Sequence, residues 1–129
     1  IINLLMALRE KYDLSYLFIS HDLSVVSHIA NRIAVMYMGR IVEYGETGHI
    51  IFKPKHPYTK ALIAAVPVPG SAKDSHFVIP GGTPSASVLP GGCRFHPRCP
   101  QVMTICREKA PQKTGTPEHG VWCHLFRES

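Results

Sequence analysis

The run Ser15-Tyr16-Leu17-Phe18-Ile19 limits this chain more than any other stretch, because it is apolar on both faces and stops abruptly at Ser20-His21-Asp22. A strand without polar alternation belongs inside a parallel sheet, sandwiched between helices. Parallel neighbours need long crossover connections, and residues 1–14 leave room for one helix and nothing more. The neighbours are therefore expected before Ile1. The opening Ile1-Ile2, with neither an initiator Met nor a capping residue, agrees, so the chain reads as a piece of a longer α/β protein. His21 follows the strand directly, and in open α/β sheets ligands bind just beyond the carboxyl ends of strands.

Around that run the pattern is regular. Ile1, Leu4, Leu5, Leu8 and Tyr12 recur at helical spacing, with Arg9 and Lys11 in the last turns, and Asp13 breaks the helix. Asp22 is placed to cap a second helix whose inner stripe is Val25, Val26, Ile29 and Ala30. Residues 32–38 read as a strand, Gly39-Arg40 as a tight turn and 41–44 as its hairpin partner. A helix over 46–52 follows, and Pro57 opens another over 58–66.

Composition narrows the class. The chain is 129 residues long, 45% hydrophobic and 18% charged, which is globular. No run of about 18 apolar residues offers a membrane span, and no secretory signal pattern opens the chain. The net charge of +5 is scattered, gathering only around Arg94, Arg98, Arg107 and Lys109. Aromatic residues do not interleave with these, so a mildly basic surface is expected and no nucleic acid partner.

Beyond Val66 the composition shifts to Pro67, Pro69 and Gly70, and later to Pro80-Gly81-Gly82-Thr83-Pro84 and Pro90-Gly91-Gly92. Three segments are expected: an α/β part over 1–67, a Pro/Gly-rich linker over 68–92, and a small irregular extension over 93–129. All four cysteines, Cys93, Cys99, Cys106 and Cys123, lie in the extension, with gaps of five, six and sixteen residues. Four thiols in a short segment with few large apolar residues suggest a cross-link in place of a core. Disulfides, structural zinc and an iron–sulfur cluster all remain open. The absence of a secretory signal argues against disulfides, no close C-x₂₋₄-C pair favours zinc, and cluster-binding runs are also usually tighter than this.

Leu17 to Leu23, then Val26, then Asn31 to Gly45, resemble the H-loop region of ABC transporter ATPases. The stretch Lys55-His56-Pro57-Tyr58-Thr59-Lys60-Ala61-Leu62 is similar to the ATP-binding subunits of oligopeptide, dipeptide and nickel importers. Cys93-Arg94-Phe95-His96-Pro97-Arg98-Cys99-Pro100, Cys106 and His119 to Leu125 resemble the C-terminal extension of those subunits. The resemblance covers essentially the whole chain. It implies the C-terminal part of a P-loop ATPase domain followed by a metal- or cluster-binding extension. His21 then matches the switch histidine that contacts the γ-phosphate, and the four cysteines match ligands of a [4Fe-4S] cluster, with zinc at the same positions as the alternative.

Further implications are ATP and Mg²⁺ as cofactors of the full-length protein and a peripheral place on the cytoplasmic face of the inner membrane. The implied partners are transmembrane permease subunits, a second ATP-binding subunit and, indirectly, a substrate-binding protein. The chain departs from the family pattern in lacking a G-x-x-x-x-G-K-[ST] loop, signature, Q-loop, Walker B aspartate and catalytic glutamate. Asn31 stands where Asp is usual. The chain alone is therefore expected to be inactive.

The competing reading is a stand-alone metal-binding or regulatory docking module, against which the unpartnered apolar strand counts. Among the remaining residues, Ser20 and His21 are strand neighbours that point apart and form no hydrolytic pair. His96, His119 and His124 are expected at the surface or in hydrogen bonds. Arg94, Arg98 and Arg107 could offset the charge of a thiolate-held cluster, and Trp122 is expected to pack over the cysteines.

Overall fold

The computed structural model describes residues 1–66, 79, 82, 85 and 87–127. Its order is α1 (Ile2–Tyr12), α2 (Leu23–Ile29), β1 (Arg32–Tyr37), β2 (Arg40–Glu46), α3 (Thr47–Phe52), α4 (Pro57–Ala64), α5 (Thr104–Glu108), β3 (Lys113–Thr116) and β4 (His119–Trp122). Single-turn helices lie at His96–Arg98 and His124–Phe126. The four strands form one antiparallel sheet in the order β1-β2-β4-β3.

The β1–β2 hairpin carries the core. β1 alternates outward and inward, burying Ile33, Val35 and Tyr37. Met38 and Gly39 both have positive φ, 46° and 80°, which is the backbone of a two-residue type I′ turn. The register slips between Val35 and Met36, so that Val35 faces Glu43 while Met36 faces Ile41. That bulge puts two successive residues of β2, Val42 and Glu43, into the interior. Ile50 of α3 and Phe95 complete the buried apolar cluster. Leu23 and Val26 of α2, Tyr58 and Leu62 of α4, and Cys93 and Cys99 pack around it.

Two expectations are corrected. The cysteine-bearing region is not an irregular appendage: β4 pairs with β2 through Glu43–Val121, Tyr44–Gly120 and Gly45–His119, so the extension completes the hairpin's own sheet. Gly45 permits the approach, since a Cβ there would run into the Glu118 carbonyl. Residues 15–20, expected as a strand, lie in no strand, and Leu17 and Ile19 are 93% and 90% exposed. A strand of that composition needs neighbours to give it hydrogen bonds and cover, and the described residues supply neither.

Other expectations hold. α1 forms, closed by Asp13 in the left-handed conformation, yet it buries none of its residues. α2 is capped as anticipated, with Asp22 Oδ1 accepting from the Ser24 and Val25 N–H groups at 3.0 and 3.4 Å. α3 and α4 fall within a residue or two of their expected bounds, with Pro57 at the start of α4. Most of the 68–92 linker lies outside the described residues; Ile79 within it packs against the core.

Candidate functional site

Three groupings carry chemistry: His21 at the end of the extended segment, the four cysteines, and a buried polar knot that the sequence reading missed.

His21 is exposed, on the rim of an open cavity lined by the segment 14–23, by α2 and by β1. Its neighbour Ser20 turns its hydroxyl to accept from the Asp22 N–H at 3.0 Å, and Asp22 is engaged as the cap of α2. Ser20 and Asp22 are thus engaged in local hydrogen bonds, and His21 lines the cavity beside them.

The cysteines, far apart in sequence, are brought near one another. The Cys93 N–H donates to the Cys106 carbonyl at 2.8 Å, tying the start of the loop to α5. Gly92, with φ 65°, makes the approach possible, because a Cβ there would meet the Cys106 and Arg107 backbone. Phe95, 1% exposed, anchors the loop edge-on between Tyr37 and Tyr58, with ring centroids 5.1 and 5.4 Å away. Cys123 arrives from the far end of β4.

Burial pushes the thiol pKa of Cys93, Cys99 and Cys123 up, that of Cys123 to about 11. Each of these three is raised further by neighbouring cysteines: Cys93 by Cys106, Cys99 by Cys93 and Cys106, and Cys123 by all of the others. Every pair among the four thiols is therefore within electrostatic reach. Cys93, Cys99 and Cys123 thus stay protonated unless cationic charge is brought among them.

Among the described residues no three His, Cys, Asp or Glu side chains are close enough together to hold one metal ion. The single zinc ion entertained above therefore has no ready-made site, and no metal or cluster centre is preformed. The cysteines are all free. Arg94 donates to the Met38 carbonyl at the hairpin turn, and Arg98 to the Tyr37 hydroxyl at 3.5 Å, so both brace the loop against β1. Arg107 is exposed. Trp122 does not behave as expected: it lies 6.1 Å from the Tyr44 ring, near the Lys113 ammonium. Neighbours on an extended chain point to opposite faces, which separates it from Cys123.

The missed feature is centred on Glu43, which is 0% exposed. Its Oε1 accepts from the Lys55 N–H at 2.8 Å and from His119 Nε2 at 2.6 Å, and its Oε2 from the His56 N–H at 2.9 Å. One carboxylate thereby joins β2, the entry to α4 and β4. His119, expected at the surface or hydrogen-bonded, is both buried and bonded, and its ring stacks on His49 at 5.5 Å. His124 bonds the Lys109 carbonyl at 2.7 Å, and His96 the Cys93 carbonyl at 2.8 Å.

His56 caps α4 by accepting the Tyr58 N–H on Nδ1 at 3.0 Å. Burial lowers its pKa to about 4, against an opposing pull from Glu43, so it is neutral with its proton on Nε2. That Nε2 and Thr59 Oγ1 are buried and find no partner among the described residues. One signal was available in the sequence. Glu43 interrupts the apolar stretch Ile41–Tyr44 in the middle of a strand, where a carboxylate must either face solvent or be paired.

The family description "Oligopeptide/dipeptide transporter, C-terminal region" matches residues 42–106. The chain belongs to that family. The matched stretch runs from the bulge of β2 through Glu43, the His56 cap and the first three cysteines, so its span includes most of the features just described. Among curated proteins, the chain is 47% identical over 130 residues to the oligopeptide transport ATP-binding protein AppF of Bacillus subtilis, an alignment covering 98% of this chain and 40% of that protein. It is 48% identical over 128 residues to a probable peptide ABC transporter ATP-binding protein, y4tS, of Sinorhizobium fredii (97% and 36%). It is 46% identical over 112 residues to the dipeptide transport ATP-binding protein DppF of Haemophilus influenzae (86% and 34%). The chain thus spans about two fifths or less of the length of these relatives. No helix among the described residues is long and apolar enough to cross a membrane.

Proposed function

We propose that this chain is the H-loop and C-terminal part of an ATP-binding subunit that powers ABC-type import of peptides. The observation that carries the proposal is the family match over 42–106, together with relatives whose names describe oligopeptide and dipeptide transport ATP-binding proteins. Those names give peptides as cargo, and the proposal keeps peptides rather than nickel. The exposed α1 and the strandless run 14–20 support a larger α/β body and count against a self-sufficient docking module, which would not leave those apolar faces open.

In this reading His21 contacts the γ-phosphate of ATP bound with Mg²⁺ in the full-length protein. Its exposed position beyond the apolar run supports the role, because a neutral imidazole there can donate to a phosphate oxygen. The rest of the nucleotide site is formed by residues outside this sequence, so the chain alone is inactive. The partners are membrane permease subunits, a second ATP-binding subunit and a substrate-binding protein. The place of work is the cytoplasmic face of the membrane.

Cys93, Cys99, Cys106 and Cys123 are proposed to hold a [4Fe-4S] cluster. A cluster bonds its sulfurs at separated corners, which suits four thiols that sense one another without converging on a point. It supplies the positive charge needed to deprotonate buried thiols.

Two measurements test the proposal. The purified chain is expected to show no ATP turnover, while the His21→Ala variant of a full-length subunit loses hydrolysis. Turnover by the chain alone, or an unaffected variant, overturns the nucleotide role. Anaerobically purified protein is expected to contain iron and acid-labile sulfide in equal amounts. Zinc without iron overturns the cluster.

A further inference from the structure

We propose that in the cluster-free protein Cys93 and Cys106 form a disulfide, a modification that withdraws two of the four sulfurs and closes the site to a cluster. The inference rests on the cluster reading for its consequence but not for its chemistry.

Geometry selects the pair. A backbone hydrogen bond of 2.8 Å directly joins Cys93 to Cys106. With the Cys93 nitrogen and the Cys106 carbonyl oxygen in that bond, backbone bond lengths keep the two Cα atoms within about 6.7 Å of each other, inside the limit of roughly 6.8 Å that a disulfide spans. Gly92 presses the two backbones together immediately before Cys93, and the turn of α5 fixes Cys106. Of the pairs involving these cysteines, no other has a backbone hydrogen bond between the two residues themselves. Sequence spacing alone would favour other pairs, since Cys93–Cys99 and Cys99–Cys106 close much shorter loops.

Accessibility sets the order of events. Cys93 is half-buried and Cys106 is buried. The thiolate of Cys93 attacks one sulfur of a low-molecular-weight disulfide such as oxidised glutathione, whose S–S bond breaks and releases one small thiol. Cys106 then attacks the Cys93 sulfur of the mixed disulfide, and the second small thiol leaves. Two protein thiols are oxidised and one small disulfide is reduced, with both protons carried by the departing thiols. Cys99 and Cys123 remain, too few to hold the cluster.

The test uses the reduced, metal-free full chain incubated with oxidised glutathione, then alkylated, digested and mapped by mass spectrometry. A parallel sample is oxidised in urea. In buffer the Cys93–Cys106 linkage is expected to exceed every other pair several-fold, while in urea the short-loop pairs dominate. Cys106→Ser is expected to trap Cys93 as its glutathione mixed disulfide, and Cys99→Ser to leave the linkage intact. A pairing pattern identical in buffer and urea, or Cys93–Cys99 dominant in both, overturns the proposal. If the linkage forms as expected but reduced protein never takes up iron and sulfide, only the cluster reading fails.

Discussion

Of the two ends of this chain, the more apolar one is the less buried. Residues 1–22 form a helix that buries nothing and an extended run whose large side chains stand in the open. Residues 93–123, rich in Pro and Cys, lock into the β1–β2 hairpin by strand pairing, by Phe95 and by Glu43. The difference lies in partners. The first segment has backbone donors and apolar surface but, among the described residues, no strand to pair with. The second meets a strand edge and a buried carboxylate, each supplying fixed hydrogen bonds. A strongly apolar sequence is thus no guarantee of burial, and a polar contact in the right place holds a weakly apolar one.

The contrast breaks most severely at Glu43. Its replacement by Leu leaves the Lys55 and His56 N–H groups and His119 without their acceptor in a buried site, and should lower unfolding stability by about 3–5 kcal/mol. Chemical denaturation measures it. A loss below about 1 kcal/mol would mean that the knot is not what fastens β4 and α4 to the hairpin.

The next effect is on pH dependence. His56 is held well below its ordinary pKa by burial, at about 4, so the folded state resists a proton that the unfolded chain takes up near 6.5. The stabilisation is present above pH 6.5 and is lost as pH falls from there through 4, by roughly 3 kcal/mol in all. His56→Asn keeps an acceptor to cap α4 but cannot titrate there. Its unfolding stability should therefore change less with pH across that interval than the parent's. An unchanged slope would assign the acid sensitivity elsewhere.

These particulars show what was legible beforehand. The hairpin was, because a run of β-formers over 32–38 and a glycine at the turn are local signals. So were the Asp22 cap and the Pro57 start of α4, which depend on residues next to each other in the chain. The closing of the sheet was not: Lys113–Thr116 and His119–Trp122 are too short and too mixed to announce themselves, and their pairing with β2 is a long-range event. The four cysteines were identified as a set from composition. The backbone bond that singles out Cys93 and Cys106 depends on how α5 folds back, which spacing cannot report.

The smallest effect is also the one that separates the two regions most directly. Leu17→Ser and Ile19→Ser alter side chains that are almost fully exposed, so each should change the stability of this chain by no more than about 0.5 kcal/mol. In a full-length subunit, where the proposed parallel sheet covers the same run, the transfer and cavity terms return, and each should cost about 2–5 kcal/mol. Paired denaturation curves on the two proteins measure the difference. Equal, small effects in both would mean that the run remains uncovered, and with it the argument that His21 ends a buried strand would fall.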